Sequence, residues 1–349
     1  MNASNPEQQK TASVDLSLIP YVKNLPQDGR ALWLTAYYDS EKKSWQSYVI
    51  HNGKVMPFSF TKLITGFYIA KEPATPDKDI QFNLSELAFQ HFGSTKLQSI
   101  SERLCNDVTN GLVSIQKYFV ILNHVNTTKN LIDADLMATE VEFAVTNHRS
   151  FYDLLNYAII TVFESAQPRP NKLPDSFGAA AKKPPKELKE TFKVPAAIVS
   201  FYKEKEKLFS VIRDIRNGIV HHGSSPRTVF YFEDGFGYSV NEKNFSVLRE
   251  YGLWAENRRK PNNIGCLLEF FALLAEDMLN ASSELAQALR ACFITLPDAV
   301  SPDCHLYFCS ELNFHIKRLQ FYRTNPWMNP VTGFRDVDLE KPACDSIKN

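Results

Sequence analysis

The sequence predicts an α+β fold, predominantly α, and two observations carry that prediction. Four long segments place apolar residues at three- and four-residue spacing, as amphipathic helices do. Before and between them, short runs rich in aromatic and β-branched residues flank Asn-Gly or Asp-Gly pairs, as hairpin strands do.

Residues 1–15 are polar, and a frayed start is expected. ALWLTAYY, SYVI and KVMPFSF follow, with Asn52-Gly53 between the last two, so residues 30–72 read as a small antiparallel sheet. KEPATPDKD, residues 71–79, reads as a linker. Ile100, Leu104, Val108, Leu112, Ile115, Phe119 and Leu122 form the first helical stripe. Val141, Val145, His148, Tyr152, Leu155, Ile159 and Val162 form the second. AQPRPNKLPDSFGAAAKKPP, residues 166–185, holds five prolines and reads as a long mobile loop outside the helices. Ile198, Phe201, Leu208, Ile212, Ile215 and Ile219 give the third helix, with Gly223 placed as its terminating glycine. YFEDGFGYSV supplies an Asp-Gly hairpin, and Ile264 to Phe293 the fourth helix. The expected helices are therefore 100–124, 136–165, 194–222 and 264–292, with no internal repeat at a fixed period. Three regions result: 1–82 with the sheet, 83–295 with the helices and hairpin appendages, and 296–349 as a C-terminal extension.

Composition narrows the function classes. Hydrophobic residues are 44% and charged residues 22% of the 349, the balance of an ordinary globular chain. Lys plus Arg equals Asp plus Glu at 39 each, so any site for a polyanion must be local. The six cysteines form no C-x-x-C pair, which predicts free thiols in a reducing compartment. MNASNPEQQKTASVD lacks the basic start and apolar core of a secretory signal, and no apolar run approaches the ~20 residues of a membrane span. A cytoplasmic protein with no membrane partner is expected.

Chemistry concentrates in RDIRNGIVHHGSSPR, Arg213 to Arg227. A helix burying Ile212, Ile215 and Ile219 ends here in arginines, an asparagine and two adjacent histidines. Histidine titrates near neutral pH and can give or take a proton. Arginine stays charged and grips two phosphate oxygens at once. Asparagine orients either group without changing charge. RNA carries its own nucleophile, the 2′-hydroxyl, beside each phosphate, so these residue types suffice for cleavage without a metal or cofactor.

The late Arg-Asn-x-x-x-His motif, here Arg216-Asn217-Gly218-Ile219-Val220-His221, together with long antiparallel helices, resembles the HEPN family. The resemblance covers roughly residues 85–295 and implies a HEPN-like antiparallel helical bundle. It implies a metal-independent endoribonuclease with Arg216, Asn217 and His221 as catalytic residues, and with Arg213, His222 and Arg227 as RNA-binding neighbours. Positions 216 and 221 diverge by about 140° on a helix. The resemblance implies that two motifs meet across a homodimer, each subunit supplying one. RNA is the partner it implies, with an antitoxin or other regulatory protein as a further one in a toxin–antitoxin, phage-defence or stress setting. Two rival readings stand beside it. One is a catalytically silent HEPN module that dimerises or binds a nucleotide or protein. The other is an unrelated helical scaffold in which Arg216, Asn217 and the histidines merely cap a helix end. The family's tyrosine two residues after the histidine, a target for nucleotide modification in one toxin branch, is replaced here by Gly223.

Three further groups are weighed. His148 on an apolar stripe reads as a core histidine. Cys304, His305, Cys309 and His315 have no common zinc spacing, and no metal is expected. Arg258-Arg259-Lys260 reads as a solvated basic run that, with Lys182, Lys183 and Arg227, can add local positive charge.

Overall fold

Two burial rhythms, every second residue and every third or fourth, sort the chain into a sheet-based and a helix-based part. The structure, a computed structural model, describes residues 19–21, 36–51, 54–76, 78–92, 95–130, 132, 135–166, 171–222, 229–293 and 303–327. Its strands are β1 (Ala36–Asp39), β2 (Ser44–His51), β3 (Lys54–Phe60), β4 (Gly66–Ala70), β5 (Asp79–Gln81), β6 (Val229–Phe232), β7 (Gly235–Tyr238), β8 (Gly265–Cys266) and β9 (His305–Cys309). Its α-helices are α1 (Asn83–Leu87), α2 (Thr95–Thr128), α3 (Asp135–Ala166), α4 (Phe177–Ala181), α5 (Pro185–Glu190), α6 (Ala196–His222), α7 (Glu242–Glu250), α8 (Leu267–Phe293) and α9 (Leu319–Thr324). Contacts divide the chain into two units, Met1–Ser99 with Ile294–Glu311, and Ile100–Phe293 with Leu312–Asn349. The segment read from sequence as one C-terminal extension, 296–349, is thus shared between the units, and the first boundary moves from 82 to Ser99.

In the first unit the described strands form a sheet of order β3-β2-β1-β4-β9-β5. Side chains alternate across it: Tyr37, Tyr48, Val55, Ile69 and Leu306 pack on one face, while Trp45, Tyr68, Ala70, Tyr307 and Cys309 pack on the other. The β2–β3 hairpin closes with His51 opposite Lys54, as the Asn-Gly pair predicts. The sheet is not wholly antiparallel, which corrects the sequence expectation: β1 and β4 run parallel, Tyr37 opposite Ile69. The hairpin occupies one edge of β1, so β4 reaches the other edge only after the chain crosses back through residues 61–65. β9, from far along the chain, pairs antiparallel with both β4 and β5.

The long helices α2, α3, α6 and α8 fall where the stripes place them, the first extended to Thr95–Thr128 and all four belonging to the second unit from Ile100 onward. α8 is buried almost all round, from Leu267 and Leu268 through Phe270 to Ala275, which makes it the central helix. Beside it the small β6-β7-β8 sheet sets Gly265 against the Trp254 indole; a Cβ there would lie 2.1 Å from the ring, so only glycine fits. The turn of the second hairpin is Glu233-Asp234, and Gly235 opens β7 at φ 155°. Among the described residues no helix is long and apolar enough to cross a membrane.

The proline-rich segment contradicts the expected loop outside the bundle. Its part from residue 171 holds α4 and the first residue of α5, and Phe177 is fully buried against Tyr152, Tyr202 and Phe209. Ser176 caps α4 by accepting the Ala179 amide at 3.3 Å. Phe177, Ala180 and Ala181 form an apolar patch between the prolines, and burying it outweighs the local bias toward irregular chain.

Candidate functional site

α6 turns Ile198, Tyr202, Leu208, Ile212 and Ile215 into the core, with Ile219 packed against it. That pattern leaves Arg213, Arg216 and Asn217 half-buried along the helix flank. Arg216 Nη1 donates to Asn217 Oδ1 at 3.4 Å, so the motif's first two side chains are neighbours. The helix continues through His222. The side chains of His221 and His222, and the whole of Gly223 and Arg227, lie outside the described residues. Arg213 faces elsewhere than Arg216: it pairs with Asp214 at 3.2 Å and approaches Gly178 of α4.

Arg216 lines a cleft of about 420 Å³ with Arg103 of α2, Arg149, Asp153 and Tyr157 of α3, and Asp175 before α4. Arg149, Asp153 and Tyr157 lie four residues apart and share one face of α3. Asp153 spends one oxygen on the Phe177 amide, at 3.0 Å, and the other lies 3.9 Å from Arg149 Nε. Asp175 pairs with Lys172 at 2.9 Å. Arg216 Nε is buried and has no hydrogen-bond partner among the described residues. Behind the cleft, burial raises the Asp107 carboxyl to about 6, against the opposing pull of the Arg103 charge and the Ser150 hydroxyl.

Sequence reasoning found Arg216 but missed Arg103, Arg149 and Tyr157. The four-residue spacing on α3 was visible. Its meeting with residues from α2 and α6 was not, because those segments are distant in sequence and only packing brings them together.

The other candidates resolve into local structure. His148 is a core histidine: its Nε2 lies 2.8 Å from Asp277 Oδ2, which also accepts the Tyr152 hydroxyl at 2.7 Å. Lys205 Nζ stands 3.8 Å from the other Asp277 oxygen. His315 is buried, bonded to Tyr322 and Gln116 at 2.9 Å each, and burial with the Arg318 charge lowers its pKa to about 4. Cys309 faces the Leu63 and Ile64 carbonyls, and no group of metal-ligating side chains exists among the described residues. The basic run 258–260 is engaged rather than merely solvated. Arg258 pairs with buried Glu269 at 2.8 Å, Arg259 lies over Phe245, and Lys260 pairs with Asp234 at 2.6 Å.

No protein-family model, curated protein or solved structure matches this chain.

Proposed function

We propose that this chain is a metal-independent endoribonuclease of the HEPN type, its four long helices forming a HEPN-like bundle. The observation that supports the reading best is the pairing of Arg216 with Asn217 near the end of α6, with Arg216 opening onto an arginine-lined cleft. In this reading the substrate 2′-hydroxyl attacks the adjacent phosphorus, the bond to the 5′-oxygen breaks, and a 2′,3′-cyclic phosphate forms. Arg216 offsets the charge that builds on the phosphate. His221 moves the proton, and Asn217 orients its neighbours. A second copy of the chain supplies the opposing motif, so the enzyme is a homodimer.

The test is incubation of the purified chain with single-stranded RNA, and with DNA of the same sequence, in EDTA. RNA alone is expected to be cut, leaving a 2′,3′-cyclic phosphate and a 5′-hydroxyl. Arg216→Ala and His221→Ala are each expected to slow cleavage by ~10²–10⁴ with unchanged circular dichroism. Cleavage that needs magnesium, or that survives His221→Ala, moves the chemistry elsewhere. A strictly monomeric chain that remains active rules out the composite site. An inert dimer supports the interaction-module reading instead.

A further inference from the structure

The cleft holds more positive charge than its own carboxylates absorb. Arg103, Arg149 and Arg216 reach it from three separate helices, so it is no charged stripe along one solvated face. Its carboxylates are already engaged, Asp153 by the Phe177 amide and Arg149, and Asp175 by Lys172. Neither Arg216 nor Arg103 forms an ion pair with a carboxylate among the described residues, and the one carboxyl that feels the Arg103 charge, Asp107, is itself raised to about 6 by burial. Arg216 Nε is buried without a hydrogen-bond partner, but so are the Nε atoms of the ion-paired Arg258 and Arg323, so the convergence of three guanidinium groups is what points to an anion. A volume of about 420 Å³ falls within the usual range of small-ligand sites, and Tyr157 brings an aromatic ring that is 38% exposed.

We propose that this cleft binds a phosphate group, gripped by Arg103, Arg149 and Arg216, with the Tyr157 ring placed to stack on the attached base. Guanidinium forks match phosphate oxygens two at a time, and base–aromatic stacking tolerates any base. The proposal rests on the ribonuclease reading only in naming an RNA strand as the first source of that phosphate. A free nucleotide carries the same chemistry.

The experiment measures binding by the full chain of three probes: a short 2′-O-methyl RNA, adenosine monophosphate and inorganic phosphate. The methylated RNA keeps its phosphates but has no 2′-hydroxyl to attack with. Arg103→Gln and Arg149→Gln are each expected to weaken RNA binding by about tenfold, the effect of losing one charge-assisted hydrogen bond. Each is also expected to make the salt dependence shallower by about one contact. Arg103→Lys restores the salt slope but not the full affinity, since it keeps the charge and loses the fork. Lys42→Gln, the same charge change at a well-exposed site in the first unit, leaves binding unaltered. If only the nucleotide and phosphate bind, with the same dependence on Arg103 and Arg149, the site stands and its source is a free nucleotide. If both glutamine variants bind every probe as the native chain does, the phosphate site is overturned. Cleavage of ordinary RNA in EDTA by those same variants would then leave the ribonuclease reading intact. Arginine-dependent binding by a chain that cuts nothing would do the reverse.

Discussion

The helical unit contains two polar clusters built from similar residues and opposite in character. Around Asp277, the fully buried His148 ring and Tyr152 hydroxyl meet on one carboxylate oxygen, with the partly exposed Lys205 beside the other. Around Arg216, two further arginines line an open cleft, and a buried guanidinium nitrogen has no partner among the described residues. The first cluster nearly completes its own hydrogen bonding, with His148 Nδ1 as the exception, and so serves the fold. The second leaves charge unanswered at a surface, where it adds little to stability and is available to a ligand. A charged side chain is informative about function when its partners do not account for it.

The largest effect separating the two clusters should come from Asp277→Ala, which strands the His148 ring and the Tyr152 hydroxyl in the core, while Lys205 keeps its pairing with Glu284 at 2.8 Å. Breaking a buried ionic network from one side typically costs about 3–5 kcal/mol, and urea unfolding at neutral pH should show it. A loss below about 1 kcal/mol would mean that the cluster does not hold the bundle together. The wild-type pH profile adds the sign. Burial alone would raise the Asp277 pKa, but the hydrogen bond and charge of His148, then Lys205 and Tyr152, hold it below the usual carboxylate range. Its folded pKa is therefore the lower one, and the unfolded chain binds more protons in the window beneath pH ~4. Stability from this group is present above that window and is lost as pH falls through it.

Phe177→Ala should come next, at about 3 kcal/mol, because its ring is fully buried against Tyr152, Tyr202 and Phe209. Since Asp153 holds the Phe177 amide, the same change should loosen one wall of the cleft. Faster hydrogen exchange in α4, with α6 unaffected, would localise the damage there.

Asp107→Asn should act in the opposite direction and more weakly. Burial raises this carboxyl to about 6, so its ionised form is disfavoured in the folded chain. Between about pH 4 and that value the unfolded state holds fewer protons, and stability falls as pH rises. Removing the charge should stabilise the protein at pH 7 by about 1 kcal/mol, after discounting for partial exposure. A thermal melt that shows destabilisation would mean that the attraction to Arg103 outweighs burial.

The smallest change in stability should belong to the cleft itself. Arg103→Gln and Arg149→Gln are expected to shift unfolding by no more than about 0.5 kcal/mol each, whatever they do to phosphate binding. A larger loss would erase the contrast and make these arginines part of the scaffold.

The sequence by itself determined the four long helices, the position of Arg216 and Asn217 near the end of one of them, and the β2–β3 hairpin. These depend on local rules, the 3.6-residue repeat of apolar side chains and the turn preference of Asn-Gly, which short windows of sequence express. Tertiary structure alone decided the parallel pairing of β1 with β4 and the insertion of β9 between β4 and β5. It also decided the burial of Phe177 within a proline-rich run and the meeting of Arg103, Arg149 and Arg216 in one cleft. Each of those joins residues far apart in the chain, where pairing and burial depend on which surfaces remain open after the local elements have packed. The Arg-Asn pair can be read from a few letters of sequence, but the company that Arg216 keeps cannot.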